Sequence, residues 1–493
     1  MSYFIIYDFE TTGRSARFDQ ILQAGFVCFD ENFNELKRLN LKSRINPDVV
    51  PSFGALKVNQ LLISDLLEEK ISSYYMIKEL NEFLSFFKPA IFLGYNSINF
   101  DEEFLRQALW ELFKYPYITS SRENSRGDVL NLVTMTNAFN PQVLNVEEND
   151  EGKKVFKLES LASVNNFNVT NSHEAISDVL ATKDLIKLIK NNEPTVYKNF
   201  LQNTNKSKLV KKITQNKFFT IHGYFFSRHY ISLATNLFEH PVYENYFLAF
   251  DLKYDPEEII FLQKDYLRDI YYTKKLNGKT FNCFKKLKLN KHPSILEADL
   301  SINQKPYADI GYEELEERRK KLSNEEFINN LKKIIISESE SYENFSEHEE
   351  ETIYSENLAF QDKIIMDDFE KVDWSKKWKF ATKFKDPRLQ FFAAKHIYRN
   401  FPESLPQNIF RRVHQKIATR FNSLKKEKFT TIPSAMEEAD NFSFESENNE
   451  VSHFQKKQLE QYNIYINFLN DYYNNPNATP IKFDKDLSKR LFY

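Results

Sequence analysis

Hydrophobic and polar positions follow different rhythms along the 493 residues. Residues 3–8 (YFIIYD) and 20–30 (QILQAGFVCFD) are apolar, β-branched and aromatic runs, the pattern of buried strands. A third strand is expected over 35–46, ending at Asn46-Pro47. Met76, Leu80, Phe83 and Leu84 recur at helical spacing, so a helix is expected over 74–87. A strand over 90–95 (AIFLGY) follows, then helices opening near 101 and near 128, and another over 173–190. Three strands, a helix, then strand and helices in alternation predict a mixed α/β layer with helices covering the sheet.

Beyond Pro194 the rhythm shortens. Residues 217–296 carry brief runs such as FFTIHGYFF, YFLAFDL and IIFL between charged turns, which predicts a small β-barrel or sandwich with an intervening helix. Residues 312–335 return to helical spacing. Residues 338–356 hold eight glutamates, with no lysine or arginine between Lys333 and Lys363, and a solvated linker is expected there. Residues 363–493 read as helical, interrupted by long polar loops such as 434–450. The expected organisation is an α/β domain over 1–193, a β-rich domain over 194–336, an acidic linker over 337–362 and a helical domain over 363–493.

Composition narrows the class of protein. Hydrophobic residues make up 41% of the chain, which excludes wholesale disorder. The formal charge of −3 shows no global basic excess, so a nucleic-acid partner has to be sought in local charge. Two cysteines, Cys28 and Cys283, build neither a disulfide framework nor a cysteine-based zinc site, which fits a reducing compartment. The opening MSYFIIYDFETTG lacks the basic and apolar regions of a secretory signal. No run approaches the ~18 apolar residues of a membrane span. A cytoplasmic protein without membrane contact is expected.

Three acidic motifs carry the chemistry. Asp8-Phe9-Glu10-Thr11-Thr12-Gly13 closes the first strand. Alternate residues of a strand share a face, so Asp8 and Glu10 point the same way with Phe9 behind them in the core. Neighbouring carboxylates repel unless a cation stands between them, and hard divalent metals suit such a pair. Alone, the two acids are equally well read as a solvated strand end. In Gly94-Tyr95-Asn96-Ser97-Ile98-Asn99-Phe100-Asp101 a strand ends, a polar loop turns and an acid opens a helix. Asp101 alone would be a helix N-terminal acid favoured by the dipole. Asn171-Ser172-His173-Glu174-Ala175-Ile176-Ser177-Asp178 opens a later helix. There Ala175, Ile176 and Ala181 put Asp178 near the packed side, where an acid needs a metal or a hydrogen-bonding partner. His173 taken singly would be a capping or packing histidine.

Taken together, D-x-E at a strand end, FD at a helix start and H-x(4)-D at a later helix resemble the DEDD exonuclease superfamily. The histidine five residues before the last aspartate resembles its DEDDh branch. The spans GYNSINFDEEFLRQ, ENSRGDVLNLV, FKLESLA, NSHEAISDVLAT, LNKHPSIL and FKDPRLQFFAAKHIYRNFPESL resemble bacterial exonuclease I, and this similarity runs from residue 3 to roughly 425. The resemblance implies an α/β fold: an RNase H-like mixed-sheet exonuclease domain, then an SH3-like β-barrel domain and a C-terminal helical domain. It implies processive 3′→5′ removal of 5′-mononucleotides from single-stranded DNA, in repair and recombination. Asp8, Glu10, Asp101 and Asp178 would hold two Mg²⁺ ions, with Mn²⁺ as a substitute, and His173 would be general base toward the attacking water. Glu10, Arg106, Tyr117, Lys157 and Lys206 would contact the strand. The C-terminal tail of single-stranded-DNA-binding protein is the implied protein partner, and a monomer is expected. Lys157 and Asn140 each stand where the family has arginine; the arginine at Asn140 is linked to the partner surface.

Local charge agrees. Residues 194–238 contain no acid and seven basic side chains, and residues 270–296 contain no acid and seven lysines. Phe and Tyr interleave both stretches, as a groove that tracks a phosphate backbone and stacks bases requires. Each stretch singly is also compatible with a solvated basic face. The competing readings are a DEDDh exoribonuclease or proofreading exonuclease, and a non-catalytic scaffold that binds single-stranded DNA.

Overall fold

The computed structural model describes residues 3–121, 123–167, 174–339, 346–355, 358–448 and 451–493. The N-terminal part opens with β1 (Tyr3–Thr11), β2 (Ile21–Phe29) and β3 (Glu35–Arg44), then α1 (Phe53–Val58), α2 (Ile63–Glu68), β4 (Ile71–Ser72) and α3 (Ser73–Phe86). It continues with β5 (Ala90–Gly94), α4 (Asp101–Glu111), β6 (Ser125–Asp128), α5 (Val129–Phe139), α6 (Leu158–Val164) and α7 (Ala175–Asn192). The sheet order is β4-β3-β2-β1-β5-β6. β1 pairs antiparallel with β2 and parallel with β5, so the sheet is mixed as expected. Ile5, Tyr7 and Phe9 alternate toward one apolar layer, with Phe26, Leu80, Phe83, Leu105 and Leu109. Phe4 and Ile6 face the other, under α5 and α7. β1 is therefore covered on both faces, and its polar side chains gather at its C-terminal end.

Two helices, α8 (Pro194–Thr204) and α9 (Lys206–Gln215), lead to a second sheet. It is built from β7 (Phe219–Phe225), β8 (Arg228–Glu239) and β9 (Tyr246–Asp251). Helices α10 (Glu257–Ile260) and α11 (Lys264–Thr273), a small ribbon of β10 (Lys275–Leu276) and β11 (Lys279–Thr280), then β12 (Phe284–Lys288) and β13 (Ser294–Leu296) follow. Its order is β12-β9-β8-β7-β13. Helices α12 (Asp299–Ile302), α13 (Tyr307–Ile310), α14 (Tyr312–Lys321) and α15 (Glu325–Ser339) close the unit.

The C-terminal part holds α16 (Phe360–Phe369), α17 (Trp374–Ala381), α18 (Pro387–Asn400), α19 (Gln407–Phe421), α20 (Ile432–Asn448), α21 (His453–Asn474) and α22 (Lys485–Phe492). Here α20 replaces the polar loop expected over 434–450. Its apolar stripe is thin, but Ile432, Ala435 and Ala439 are buried at helical spacing and Phe442 packs beside them. The helix is also pinned by Glu438, which accepts from Ser52 Oγ and from the N–H groups of Phe53 and Gly54 at the start of α1.

Part of the acidic segment departs from the solvated linker expected of it. A 3-10 turn, Glu349–Tyr354, docks onto basic helices. Glu350 is fully buried, 2.9 Å from Lys395 and 3.0 Å from Arg420. Glu349 pairs with Lys416 and Glu351 with Lys428, both at 2.5 Å. A run of like charges reads as solvated only while its partners are out of view; here they lie on α18, α19 and the following loop. Among the described residues no helix is long and apolar enough to cross a membrane.

Candidate active site

The C-terminal end of β1 carries Asp8 and Glu10 on one side, with Phe9 buried between them on the other. Asp8 lies in register with Gly25 of β2. A side chain at Gly25 would collide with the start of α7, since its Cβ would meet the Ala175 backbone at 2.8 Å. The glycine thus lets α7 lie tight against the sheet and brings Asp178, one turn into that helix, to the end of β1. Carboxylate oxygens of Asp8, Glu10 and Asp178 lie within 4.8 Å of one another.

Asp101 is the first residue of α4 and is buried. Its Oδ1 accepts the N–H of Phe9 at 3.1 Å. Three of these acids are pushed to a raised pKa. Burial, then Asp101, Asp178 and Glu10, push Asp8 well above the carboxylate range. Burial, then Asp178 and Asp101, push Glu10 up to about 8, against a smaller pull from Lys42. Burial also takes Asp101 to about 8, against the backbone N–H groups it accepts. Such a concentration of buried negative charge fits a divalent cation with oxygen ligands. Asp8, Glu10 and Asp178 would bind it directly, with Asp101 beside them. His173 lies outside the described residues.

Behind Asp101 stands a residue the motifs did not single out. Glu102 is fully buried and collects four donors. Tyr7 Oη donates to Oε2 at 3.0 Å. Oε1 accepts from Arg106 Nε at 3.0 Å, Thr119 Oγ1 at 2.6 Å and the Arg126 guanidinium. Burial alone would raise this carboxyl, but Arg126 and Arg106 outweigh it and hold Glu102 below its usual value. Arg126 also donates to the Asn290 carbonyl at 2.8 Å. Beside it the Asp128 N–H donates to Nδ1 of His292, and Asn131 Nδ2 to the His292 carbonyl. Two spans noted in the sequence, ENSRGDVLNLV and LNKHPSIL, thus meet across the junction of the two sheets.

Of the expected strand contacts, Glu10 belongs to the carboxylate cluster. Arg106 is buried, paired with Glu102 and lying 5.0 Å from the ring centroid of Tyr117, with Nη2 directed at Ser120. Its guanidinium is held within the protein rather than extended toward solvent. Lys157 is exposed at the start of α6, and Lys206 is exposed as the first residue of α9. Asn140 Nδ2 donates to Glu193 Oε2 at 3.0 Å. Beside Glu10 a cleft of about 1000 Å³ runs between Arg14, Lys57 and Asn59 on one wall and Lys428, Phe429 and Ser434 on the other.

Residues 5–186 match the Exonuclease family, and residues 204–335 match the Exonuclease I SH3-like domain. Exodeoxyribonuclease I of Escherichia coli (strain K12) is 28% identical over 306 residues, and that of Haemophilus influenzae 29% over 306 residues. Each alignment covers 60% of this chain and 64% of the relative, so the similarity spans somewhat under two thirds of those proteins. The structure of E. coli exonuclease I in complex with a dA16 oligonucleotide superposes with a TM-score of 0.80 at 22% identity, over 95% of this chain and 100% of that one. A moderately thermophilic exonuclease I from Methylocaldum szegediense superposes with a TM-score of 0.81 at 20% identity, with the same coverage of both chains. Divalent metals are the general cofactors of such exonucleases, and Asp8, Glu10 and Asp178 form a carboxylate cluster that could hold one. Residues 5–186 thus belong to the Exonuclease family and residues 204–335 to the Exonuclease I SH3-like domain family, and the chain that joins them is similar to bacterial exonuclease I.

Proposed function

We propose that the protein is a single-strand-specific 3′→5′ exodeoxyribonuclease that releases 5′-mononucleotides processively. The observation that carries this reading is the convergence of Asp8, Glu10 and Asp178 within 4.8 Å, with Asp101 tied to the same strand. The SH3-like unit supports the choice of branch, because its loop around Asn290 and His292 meets Arg126, the partner of Glu102, and Asp128.

Asp8, Glu10, Asp101 and Asp178 would hold two Mg²⁺ ions, or Mn²⁺ in their place. Bound there, the metal supplies an acidified water and neutralises charge on the departing oxygen. The reaction is hydrolysis: a water oxygen bonds to phosphorus and the bond from phosphorus to the 3′-oxygen breaks. The imidazole of His173 would take the water's proton, and the 3′-oxygen leaves protonated from solvent. Glu10, at the mouth of the cleft, would orient the terminal nucleotide. Lys157 and Lys206 are exposed cations suited to phosphates. Arg106 would act chiefly by holding Tyr117 in place as a stacking surface.

The units are taken to divide near residues 193, 336 and 362. We read the protein as a cytoplasmic monomer acting in DNA repair. A related complex pairs exonuclease I with the C-terminal peptide of single-stranded-DNA-binding protein. That tail is the proposed partner here, bound weakly, because Asn140 is engaged with Glu193. The test is Mg²⁺-dependent digestion of a 5′-labelled single strand beside its duplex and an RNA copy. A ladder shortening from the 3′ end, on the DNA single strand above the others, supports the reading. Equal or faster loss of RNA would move the protein to the ribonuclease branch, and no cleavage would leave the scaffold.

A further inference from the structure

Strand β6 lies at the edge of the first sheet, and an edge strand turns backbone N–H groups away from any partner strand. The Asp128 N–H, at the end of β6, finds its acceptor in the other unit: it donates to Nδ1 of His292 at 3.2 Å. His292 closes the 3-10 turn Leu289–Lys291, is buried, and takes a left-handed backbone with a φ of 49°. Its carbonyl accepts from Asn131 Nδ2 at 2.9 Å. A backbone N–H can only donate, so Nδ1 keeps its lone pair and the ring proton sits on Nε2. Burial lowers the imidazole to about 4, which keeps that lone pair in place at neutral pH.

Asp128 in turn holds the approach to Asp101. Its Oδ1 accepts the N–H of Asn96 at 2.9 Å and its Oδ2 the N–H of Ile98 at 3.2 Å. Both residues lie in the turn between β5 and α4, where Asn96 is left-handed with a φ of 55°, and Asp101 follows as the first residue of α4. A second tie grips the other side of Asp101. Glu102 accepts from Arg126, and the other arm of that guanidinium donates to the Asn290 carbonyl at 2.8 Å. Asp101 is thus bracketed, at residues 96–98 and at residue 102, by ties that start two residues apart on one loop of the SH3-like unit. A loop that only covered a sheet edge would bond the edge and stop. Here each bond continues through one side chain to a residue beside Asp101.

We propose that His292 and Arg126 are positioning residues: through Asp128 and Glu102 they let the SH3-like unit set where the Asp101 carboxylate stands beside Asp8, Glu10 and Asp178. The inference rests on the proposed activity and deepens it, by giving the second unit a part in the hydrolytic site that is separate from any hold on the strand. A displacement of about 1 Å at a reacting group can cost about 10²-fold in rate, so the ties have a consequence beyond stability.

The test uses the full chain and its His292→Ala, His292→Asn and Arg126→Lys variants. Asn places Oδ1 where the imidazole has Nδ1 and tolerates a left-handed backbone, so it restores the acceptor alone. Lys keeps a cation for Glu102 without the fork that also reaches Asn290. Two quantities are read. One is turnover, with Mg²⁺, of the p-nitrophenyl ester of thymidine 5′-monophosphate, a substrate with no strand to hold. The other is the Mn²⁺ concentration that gives half of the metal-induced rise in melting temperature. Removing a group that orients a metal ligand costs about 10–100-fold in metal affinity or activity. His292→Ala should show a loss of that size in kcat with KM kept, and should need more Mn²⁺. His292→Asn should recover most of both, and Arg126→Lys should fall between the two. A lower melting temperature in His292→Ala with ester turnover and Mn²⁺ requirement unchanged overturns the inference, since the bond then covers an edge and does no more. Equal losses in His292→Ala and His292→Asn overturn it too. If His292→Ala does not fold, Arg126→Lys decides, and parental turnover and Mn²⁺ requirement in that variant overturn the inference. If the parent cleaves no substrate, the activity reading fails, and the Mn²⁺ requirement still decides the positioning.

Discussion

The backbone N–H of Phe9 donates to Oδ1 of Asp101 at 3.1 Å, so the strand that presents Asp8 and Glu10 is fixed to the helix that presents Asp101 by the acid itself. Asp101→Asn keeps an acceptor for that N–H and removes the charge. The variant should melt at or above the temperature of the parent. Its turnover should fall by about 10²–10³-fold, the scale of losing one electrostatic contact in a reacting site. Retention of more than a tenth of the activity would rule Asp101 out of the site.

Removing a charge should also reveal the cost of assembling the cluster. In metal-free protein Asp8 is opposed by three neighbouring acids, so Asp8→Asn should raise the melting temperature in chelator. Added Mn²⁺ should stabilise the parent and leave the variant unmoved. Thermal melts with and without Mn²⁺ measure both effects. An equal metal shift in the two proteins would place the ion elsewhere.

Glu102 balances two arginines in a buried setting. Glu102→Ala leaves Arg106 and Arg126 unpaired, and breaking such a buried pair costs about 3–5 kcal/mol. Glu102→Gln keeps an acceptor and should cost less. Denaturant unfolding separates the two variants, and a cost under about 1 kcal/mol for the alanine would put the network in the class of exposed pairs.

Three buried histidines predict loss of stability toward acid. Burial holds His292 at about 4, and His222 and His396 at about 3. Each is neutral in the folded protein but titrates near 6.5 when unfolded. Between those values the unfolded chain binds more protons, so stability rises with pH and is lost as pH falls below 6.5. The slope is about 1.4 kcal/mol per pH unit for each histidine. Asp8, Glu10 and Asp101, raised by burial, hold protons in the folded state over the same range and oppose this loss, so the histidine contribution is read by comparison: from pH 7 to pH 5 the unfolding free energy of the parent should fall relative to that of His292→Gln.

The docked acidic turn makes a contrast within one segment. Glu350→Ala removes the buried partner of Lys395 and Arg420 and should cost about 3–5 kcal/mol. Glu347→Ala, at an exposed position, should stay within about 0.5 kcal/mol. Equal effects of the two substitutions would mean the turn is not held by Glu350.

Strand alternation puts Asp8 and Glu10 on one face from local pattern alone, but singly the acidic motifs read as a solvated strand end and a helix-start acid, and it is the ordered set that resembles an exonuclease site. Asp8, Glu10, Asp101 and Asp178 needed no long-range knowledge beyond their order. Glu102 was not legible, since nothing local separates it from Glu103; its role comes from Arg126 and Thr119, which fold against it from elsewhere. Arg106 shows the converse. Its position suggested a strand contact, and the structure spends its guanidinium on Glu102 and Tyr117. The docked turn 349–354 and the helix over 434–448 are hidden from local reading for a common reason. Their partners, Lys395 and Arg420 for one and the start of α1 for the other, are distant in sequence, and charge or polarity without its partner reads as solvent-facing.

One apolar cluster joins Phe53, Leu56, Leu66 and Leu67 of the first part of the chain to Tyr398, Phe410, Tyr462 and Leu469 of the last. During synthesis the early residues emerge first, and at roughly 5–20 residues per second their cover arrives on the order of 15–80 s later. For that interval α1 and α2 present a sticky face to the cell while the nuclease sheet beside them can already form. Production of the protein is thus a matter of timing and of escort by chaperones, and a rare-codon pause placed before residue 390 would lengthen the exposure.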